Sequence, residues 1–492
     1  VNVARAAMLG ALIFVTPAQT PAPPEAHAHL AVSTTSAQAQ AAFDRGLAMT
    51  YAFSVGQARL DFHAAAAADP ACAMAWWGAA LAETIDINVP QTDDGDARGA
   101  AAIAHARAQL ASATPEERTL VAALAERYAP HATTAERFRA YANAMHAAAL
   151  AYPHDADVLT VAAYARWNDV GSVTGDDGRP VAGALEMEDE LDRALALDPA
   201  NLGAHHLRIH LEEQLGRPER ALADARFFDG VTFAPGMSHL PHMAGHVYMH
   251  LGDYDALIAA NERALANDAA YFAAGSGEGQ TYVRRYHDHD LDFATYGLTT
   301  QGRDAEARAL VANEDAEMKL RVALRTRDPA ALGYAAPHQA PARAIALARL
   351  GRTGDADAIV RAFRTAPDDD GETRATRDVA AAIVARAEGK LDRAESSYRA
   401  AIAQLGVDRG DPKTLWPIPP GEGLGAVLLE RGRAAAAETV FRRELITYPN
   451  DPRLAFGLAE ALRAQRKDDT AERAIVAREW RGAVPLTVGA LG

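Results

Sequence analysis

From residue 40 onward, apolar positions recur with the spacing of amphipathic helices. They fall in segments of about 12–16 residues separated by short breakers, and the two-residue alternation of strands is almost absent. The breakers share a form. Gly216 is followed five residues later by Ala221, Gly302 by Ala307, Gly389 by Ala394 and Gly432 by Ala437. Tyr398 and Ala401 extend the third of these, and Phe441 and Pro449 the fourth. Ala58, Phe62, Ala66 and Pro70 keep the same register near the start.

These positions form the tetratricopeptide pattern. Glycine permits the tight turn between two antiparallel helices, alanine lets the second helix approach the first, an aromatic fills the gap between hairpins, and proline ends the unit. The predicted fold is therefore all-α, a tetratricopeptide-like α-solenoid of antiparallel helix hairpins. The period is irregular. Ala394 and Ala437 are 43 residues apart, and GVDRGDPKTLWPIPPGEG at 406–423 interrupts the array. A second irregular stretch covers 326–341, so the array is divided there, into 40–330 and 331–492.

The N-terminus has a different character. Arg5, the apolar run AAMLGALIFV and the small residues and prolines after it form a signal-peptide layout over 1–22, with cleavage near Ala18 or Ala22. The run is too short to span a bilayer stably, and an uncleaved anchor is the alternative. Residues 23–39 read as a flexible tail. The expectation is an exported protein, periplasmic or extracellular, with no membrane span after cleavage. A net charge of −16, spread along the chain, argues against nucleic-acid binding. The single cysteine, Cys72, allows no internal disulfide and no cysteine-based metal site, and reads as a small core residue.

Histidine is the exception to this plain composition. Nine of the 17 histidines lie between 205 and 289. In GAHHLRIHLEE, His206 and His210 stack one turn apart on a helix, and Glu213 continues their face. In SHLPHMAGHVYMH, Pro241 suits a first helical turn, which places His242 and His246 on one face and His239 in the entry loop. His250 lies about 12 Å along from His242, too far to share an ion with it. YHDHD adds His287 and His289, with Asp288 and Asp290 beside them. Imidazoles at i and i+4 converge on a transition metal, and two such pairs facing each other would give up to four nitrogens. Neutral imidazole suits copper and zinc first, and iron after them.

The bland reading of one H-x3-H pair is chance, or a buried polar seam. Two pairs in neighbouring hairpins and a third segment favour a metal site. The candidate ligands are His206, His210, His242 and His246, then His239 and His289; Glu213 is a candidate carboxylate ligand or general base. His205, His250 and His287 are selected only by proximity. Asn261 reads as a cap or bridge between helices. No HExxH, G-x-S-x-G or phosphate-binding loop is present; GSGEGQ at 275–280 lacks the Lys-Ser/Thr that such a loop needs. Trp76 and Trp77 read as core. The acidic stretches around Asp93, Asp94 and Asp96 and at 368–372 read as solvated connections. His27 and His29 read as a weak metal contact or a disordered end.

The chain also resembles a bacterial family of exported tetratricopeptide-repeat proteins. The likeness starts in AAFDRGLAMTYAFSVGQARLDFHAAAAADP and runs from about residue 40 to the end. It includes a G-x-x-H-x3-H helix (Gly203, His206, His210), an H-x2-H-x3-H helix (His239, His242, His246), the Gly252, Tyr254, Asn261, Glu262 and Ala264 series, and Tyr286 with His289. Asp290 departs from the family's asparagine, which puts a supporting role at 290 in doubt. The resemblance implies a histidine-rich site but no particular reaction.

Two functions follow. One is a protein with an internal transition-metal site, acting either as an enzyme on a small-molecule substrate or in metal handling. The other is a scaffold whose concave surface binds partner proteins or peptides, with structural histidines. An active site requires the histidines to converge; a scaffold lets them scatter.

Overall fold

The computed structural model describes residues 25–84, 86–88, 91–130, 132–175, 178–275, 280–363, 370–405 and 419–492. The signal-peptide segment, most of the 406–423 interruption and most of GSGEGQ lie outside these. Among the described residues there are 24 α-helices, and β-pairing is confined to two isolated bridges. None of the helices is long and apolar enough to cross a membrane.

The hairpin turns repeat one local solution. Gly216, Gly252, Gly302, Gly351, Gly389 and Gly432 all have φ between 68° and 77°. At each, the next residue's N–H donates to the carbonyl five positions before it, as Asp253 does to Tyr248 at 2.9 Å and Lys390 to Ala385 at 2.8 Å. This closes the first helix and reverses the chain within a few residues. The aromatic of the repeat then does what its spacing predicts. Phe62 lies between Gly46 of its own hairpin and Gly78 of the next; a Cβ at either glycine would stand within 2.8 Å of the ring. Phe441 lies in the same way between Gly425 and Gly457, at 2.3 Å from each. Antiparallel hairpins stacked through such residues form a tetratricopeptide-like α-solenoid.

Buried apolar side chains gather in one cluster from Ala26 to Tyr296, a small one from Ile258 to Val322, and one from Leu320 to Leu491. Late hairpins also return to the middle of the array. Tyr254 donates to the Pro449 carbonyl at 3.1 Å, Arg481 N–H donates to the Gln301 carbonyl at 2.8 Å, and the Trp480 ring covers Gly302.

Several local expectations need correction. The segment before the first helix is not a free tail. Ala26 N–H donates to Thr232 at 2.7 Å, Leu30 and Val32 are buried, and Ser33 binds Glu117 through both its amide and its hydroxyl. The acidic stretch at 93–96 opens the Asp93–Ala108 helix behind the Thr92 cap, where carboxylates complement the helix dipole. Asp96 there neutralises the fully buried Arg127 at 2.6 Å. Asp370 likewise caps the Gly371–Ala387 helix; residues 364–369 lie outside the described set. Trp77 is core, but Trp76 is half-buried and stacks on His105. Cys72 is buried, and burial pushes its thiol up, in keeping with a core residue. His29 pairs with Asp44 at 2.8 Å rather than hanging free.

Two glycine turns provide a test. At Gly252 a Cβ would stand 2.1 Å from the Pro449 carbonyl oxygen, whereas at Gly389 nothing lies within 4 Å. Gly389→Ala is expected to cost about 1 kcal/mol of unfolding free energy, from the left-handed backbone alone, and Gly252→Ala about 3 kcal/mol. Urea denaturation measures both, and equal losses would show that Pro449 does not constrain the 252 turn.

Candidate metal centre

Three helices carry the histidines: Leu202–Gln214, His239–Leu251 and Gln280–Thr300. Asn201 caps the first by accepting from Ala204 N–H. His239 is the first residue of the second helix, not part of its entry loop, since that helix starts two residues before Pro241.

The six candidate ligands converge, but not on one point. His206, His210 and His239 form one group and His242, His246 and His289 another; within each, one nitrogen per residue lies within 4.8 Å of the other two. The expected four-nitrogen site built from both H-x3-H pairs does not form. Each pair instead recruits its own third imidazole, so the two triads sit side by side through His239 and His242, whose rings are 5.8 Å apart.

Within each triad the paired nitrogens face each other. His206 Nε2 and His210 Nε2 are 3.1 Å apart, and His242 Nε2 and His246 Nε2 are 2.9 Å apart. With metal–nitrogen bonds of 2.0–2.1 Å, two nitrogens on one ion lie about 2.9–3.4 Å apart. Hydrogen bonds on the far side of the rings set the tautomers. His206 Nδ1 donates to the Tyr51 carbonyl at 2.7 Å. His242 Nδ1 donates to Asn261 Oδ1 at 2.7 Å, and the Asn261 amide is oriented by its own donation to the Leu257 carbonyl. His246 Nδ1 donates to Glu213 Oε1 at 2.7 Å. A neutral imidazole has a single N–H, so His206, His242 and His246 present bare Nε2 lone pairs.

With Nδ1 of both rings donating to carbonyl-type oxygens, the facing Nε2 atoms of His242 and His246 can share a proton or a metal ion. A shared proton engages two nitrogens and does not account for a third ring. In the first triad that ring is His239, buried, with neither ring nitrogen hydrogen-bonded. Leaving such a group unsatisfied costs about 1–3 kcal/mol, whereas coordination satisfies it.

Electrostatics hold the donors of the first triad neutral. Burial, reinforced by His210, holds His206 well below the usual histidine range; burial and the neighbouring imidazoles do the same for His239, and burial pushes His210 down to about 3. An apolar ring lies against each triad. Phe53 is 4.5 Å from His206 and 5.4 Å from His239, centre to centre. Phe293 is 4.4–4.8 Å from all three rings of the second triad. Phe53 holds a left-handed φ of 56°, a strain of about 1–3 kcal/mol for such a residue.

Glu213 accepts from His246 Nδ1 and, at 3.0 Å, from His250 Nε2, so it orients the His246 ring. Burial alone would raise its carboxyl, but His246 and His250 hold it well below the usual range. Asp290 is buried with Oδ1 2.9 Å from His242 Nδ1, and burial together with Asp268 pushes its carboxyl well up. Asn261 is both a bridge between helices and a support of His242.

The histidines selected only by proximity have other partners. His205 pairs with Asp224 at 2.6 Å and stacks on Phe227, and His287 pairs with Asp268 at 3.0 Å. Glu212 binds Arg217, and Asp288 is exposed. Tyr51, Phe53 and Phe293 carry no signal in the local sequence. Only the tertiary approach of distant helices brings them to the triads.

Nitrogen-15 NMR of the metal-free protein is expected to show the Nδ1–H tautomer at His206, His242 and His246, with His210 still neutral at pH 5. An Nε2–H tautomer at His242 would break the lone-pair argument.

No protein-family model and no curated protein matches the chain. Among solved structures it is similar to a chain of the APC/C hetero-tetramer Cut9–Hcn1, at 12% identity and a TM-score of 0.31, over 90% of this chain and 76% of that one. It is also similar to the TPR domain of P58(IPK), at 15% identity and a TM-score of 0.20, over 83% of this chain and 99% of that one. Likenesses this loose assign no function, and the solenoid is read from the chain's own hairpins.

Proposed function

We propose that this chain is a helical-solenoid metalloprotein that binds two transition-metal ions, one in each histidine triad. The observation that carries the reading is His239, an imidazole buried beside two others with no hydrogen bond at either nitrogen. Three nitrogens at one point, two of them spaced as ligands of one ion, account for it.

The donor set indicates the chemistry. Neutral imidazoles without thiolate favour copper or zinc, with iron third. Closed four-ligand sites are structural, whereas three protein ligands leave a position for water or a substrate oxygen. Each triad supplies three, so the reading is of an open centre that takes an exchangeable oxygen ligand, as an enzyme does, not a closed store. The signal-like N-terminus supports export.

Elemental analysis of the purified chain, after reconstitution with copper, zinc or iron, is expected to give two ions per chain. His239→Ala and His289→Ala are each expected to lose one ion while keeping the parent's helical circular dichroism. Asn261→Ala, which frees His242 to rotate, is expected to weaken one site about 10–100-fold and leave the other unchanged. A well-folded parent that retains no metal from any of the three salts would favour the scaffold with structural histidines.

A further inference from the structure

The two histidine triads share a wall. His239 and His242 are three residues apart on one helix, and one belongs to each triad. Their rings are near-parallel, with planes 23° apart and centres 5.8 Å apart. An imidazole binds an ion in its own ring plane, about 2 Å beyond the nitrogen, so ions held by two such neighbouring rings stand on the order of 6 Å apart. A single oxygen atom bonded at about 2 Å to each ion spans at most about 4 Å, and a bonded pair of oxygens about 5 Å. The spacing therefore suits a two-atom bridge.

The donor set and the walls narrow the choice of metal and ligand. Among the described residues, neither triad includes a carboxylate. Glu213 accepts from His246 Nδ1, and Asp290 stands 2.9 Å from His242 Nδ1, both behind the rings and away from the facing Nε2 atoms. Paired iron or manganese ions in helical proteins are held by glutamates, which these triads do not use. Six nitrogens without an anionic ligand suit copper, and burial favours its monovalent state, since each further unit of charge in a desolvated site is costly. Phe293 lies 4.4–4.8 Å from all three rings of the second triad, and Phe53 lies against His206 and His239. Apolar walls admit a small apolar molecule more readily than a hydrated anion, and they keep water from a reactive product. Of the six imidazoles only His289 is half-buried, so access is from the second triad.

Resting on the reading that each triad holds one ion, we propose that the two triads form a single dicopper centre whose substrate is dioxygen, bound between the ions. Each Cu(I) gives up one electron and becomes Cu(II). Dioxygen accepts both electrons and becomes peroxide, its double bond falling to a single bond. No proton, further reductant or leaving group is needed. The two negative charges of peroxide offset the two positive charges the ions gain.

The test loads the chain with Cu(I) in the absence of air, measures its copper content and then admits oxygen. The expected uptake is one dioxygen per two copper ions, with a new charge-transfer absorption in the near ultraviolet. The Cu(II) electron paramagnetic resonance signal is expected to fall short of the copper present by at least about nine-tenths, because two coupled spins cancel. His239→Ala and His289→Ala, each holding one copper, are expected to lose that uptake and, once oxidised with ferricyanide, to show a signal equal to their copper. Two copper ions per chain with no uptake, or with the full signal of two independent Cu(II) ions, overturn the paired centre and leave the two-site reading standing. A chain that retains two zinc ions but no copper overturns the paired centre in the same way, and one that retains no metal overturns the two-site reading as well. The uptake ratio and the signal of the parent decide the matter even if both variants unfold.

Discussion

Close approach of helices is what the site depends on, and two glycines grant it. At Gly203 a Cβ would stand 2.5 Å from the Tyr51 ring, and at Gly245 one would stand 2.5 Å from the Asn261 amide nitrogen. Each glycine lies within three residues of a histidine on the same helix. The contacts it permits are with Tyr51 and Asn261, whose oxygens fix the histidine tautomers. A side chain at either position would push a helix outward by an ångström or more. The far-side hydrogen bonds would lengthen, and the Nε2 atoms would no longer converge.

Burial then gives the site its character. His206, His210 and His239, packed among Phe53 and Trp167, resist protonation, because desolvation and mutual repulsion oppose every added charge. Such a cluster is costly as a purely structural device, since apolar side chains of the same volume would fill the space without orphaned nitrogens. The strained backbone at Phe53 lies at the first triad, where a locally unfavourable conformation places a ring against His206 and His239.

Much of this was legible in the chain. The Gly-Ala-aromatic spacing predicted the hairpins, and Phe62 and Phe441 fill the gaps that spacing implies. H-x3-H placed four of the six converging imidazoles, because the period of a helix is local information. The division into two triads was not legible, since it depends on the rotation of three helices about one another. The Tyr51 carbonyl was hidden for a sharper reason: a main-chain acceptor 155 residues from its histidine leaves no mark on residue type. Glu213 was found by its face, but its hydrogen-bond partner, the His246 ring on the neighbouring helix, was not legible. At 93–96 the acidic run concealed a helix start that the preceding threonine announced.

The contacts of Tyr254, Gly252 and Gln301 with residues 449–481 have a mechanical consequence. In an open solenoid each repeat touches only its neighbours, so stability is a sum of local terms and the array can fray or stretch from its ends. Here a late stretch of chain is clasped to the middle, which makes a spring into a loop. Pulling on that loop loads the clasp before any single hairpin, and losing the clasp exposes both faces at once. The hairpins between residues 252 and 481 should therefore melt as one cooperative block.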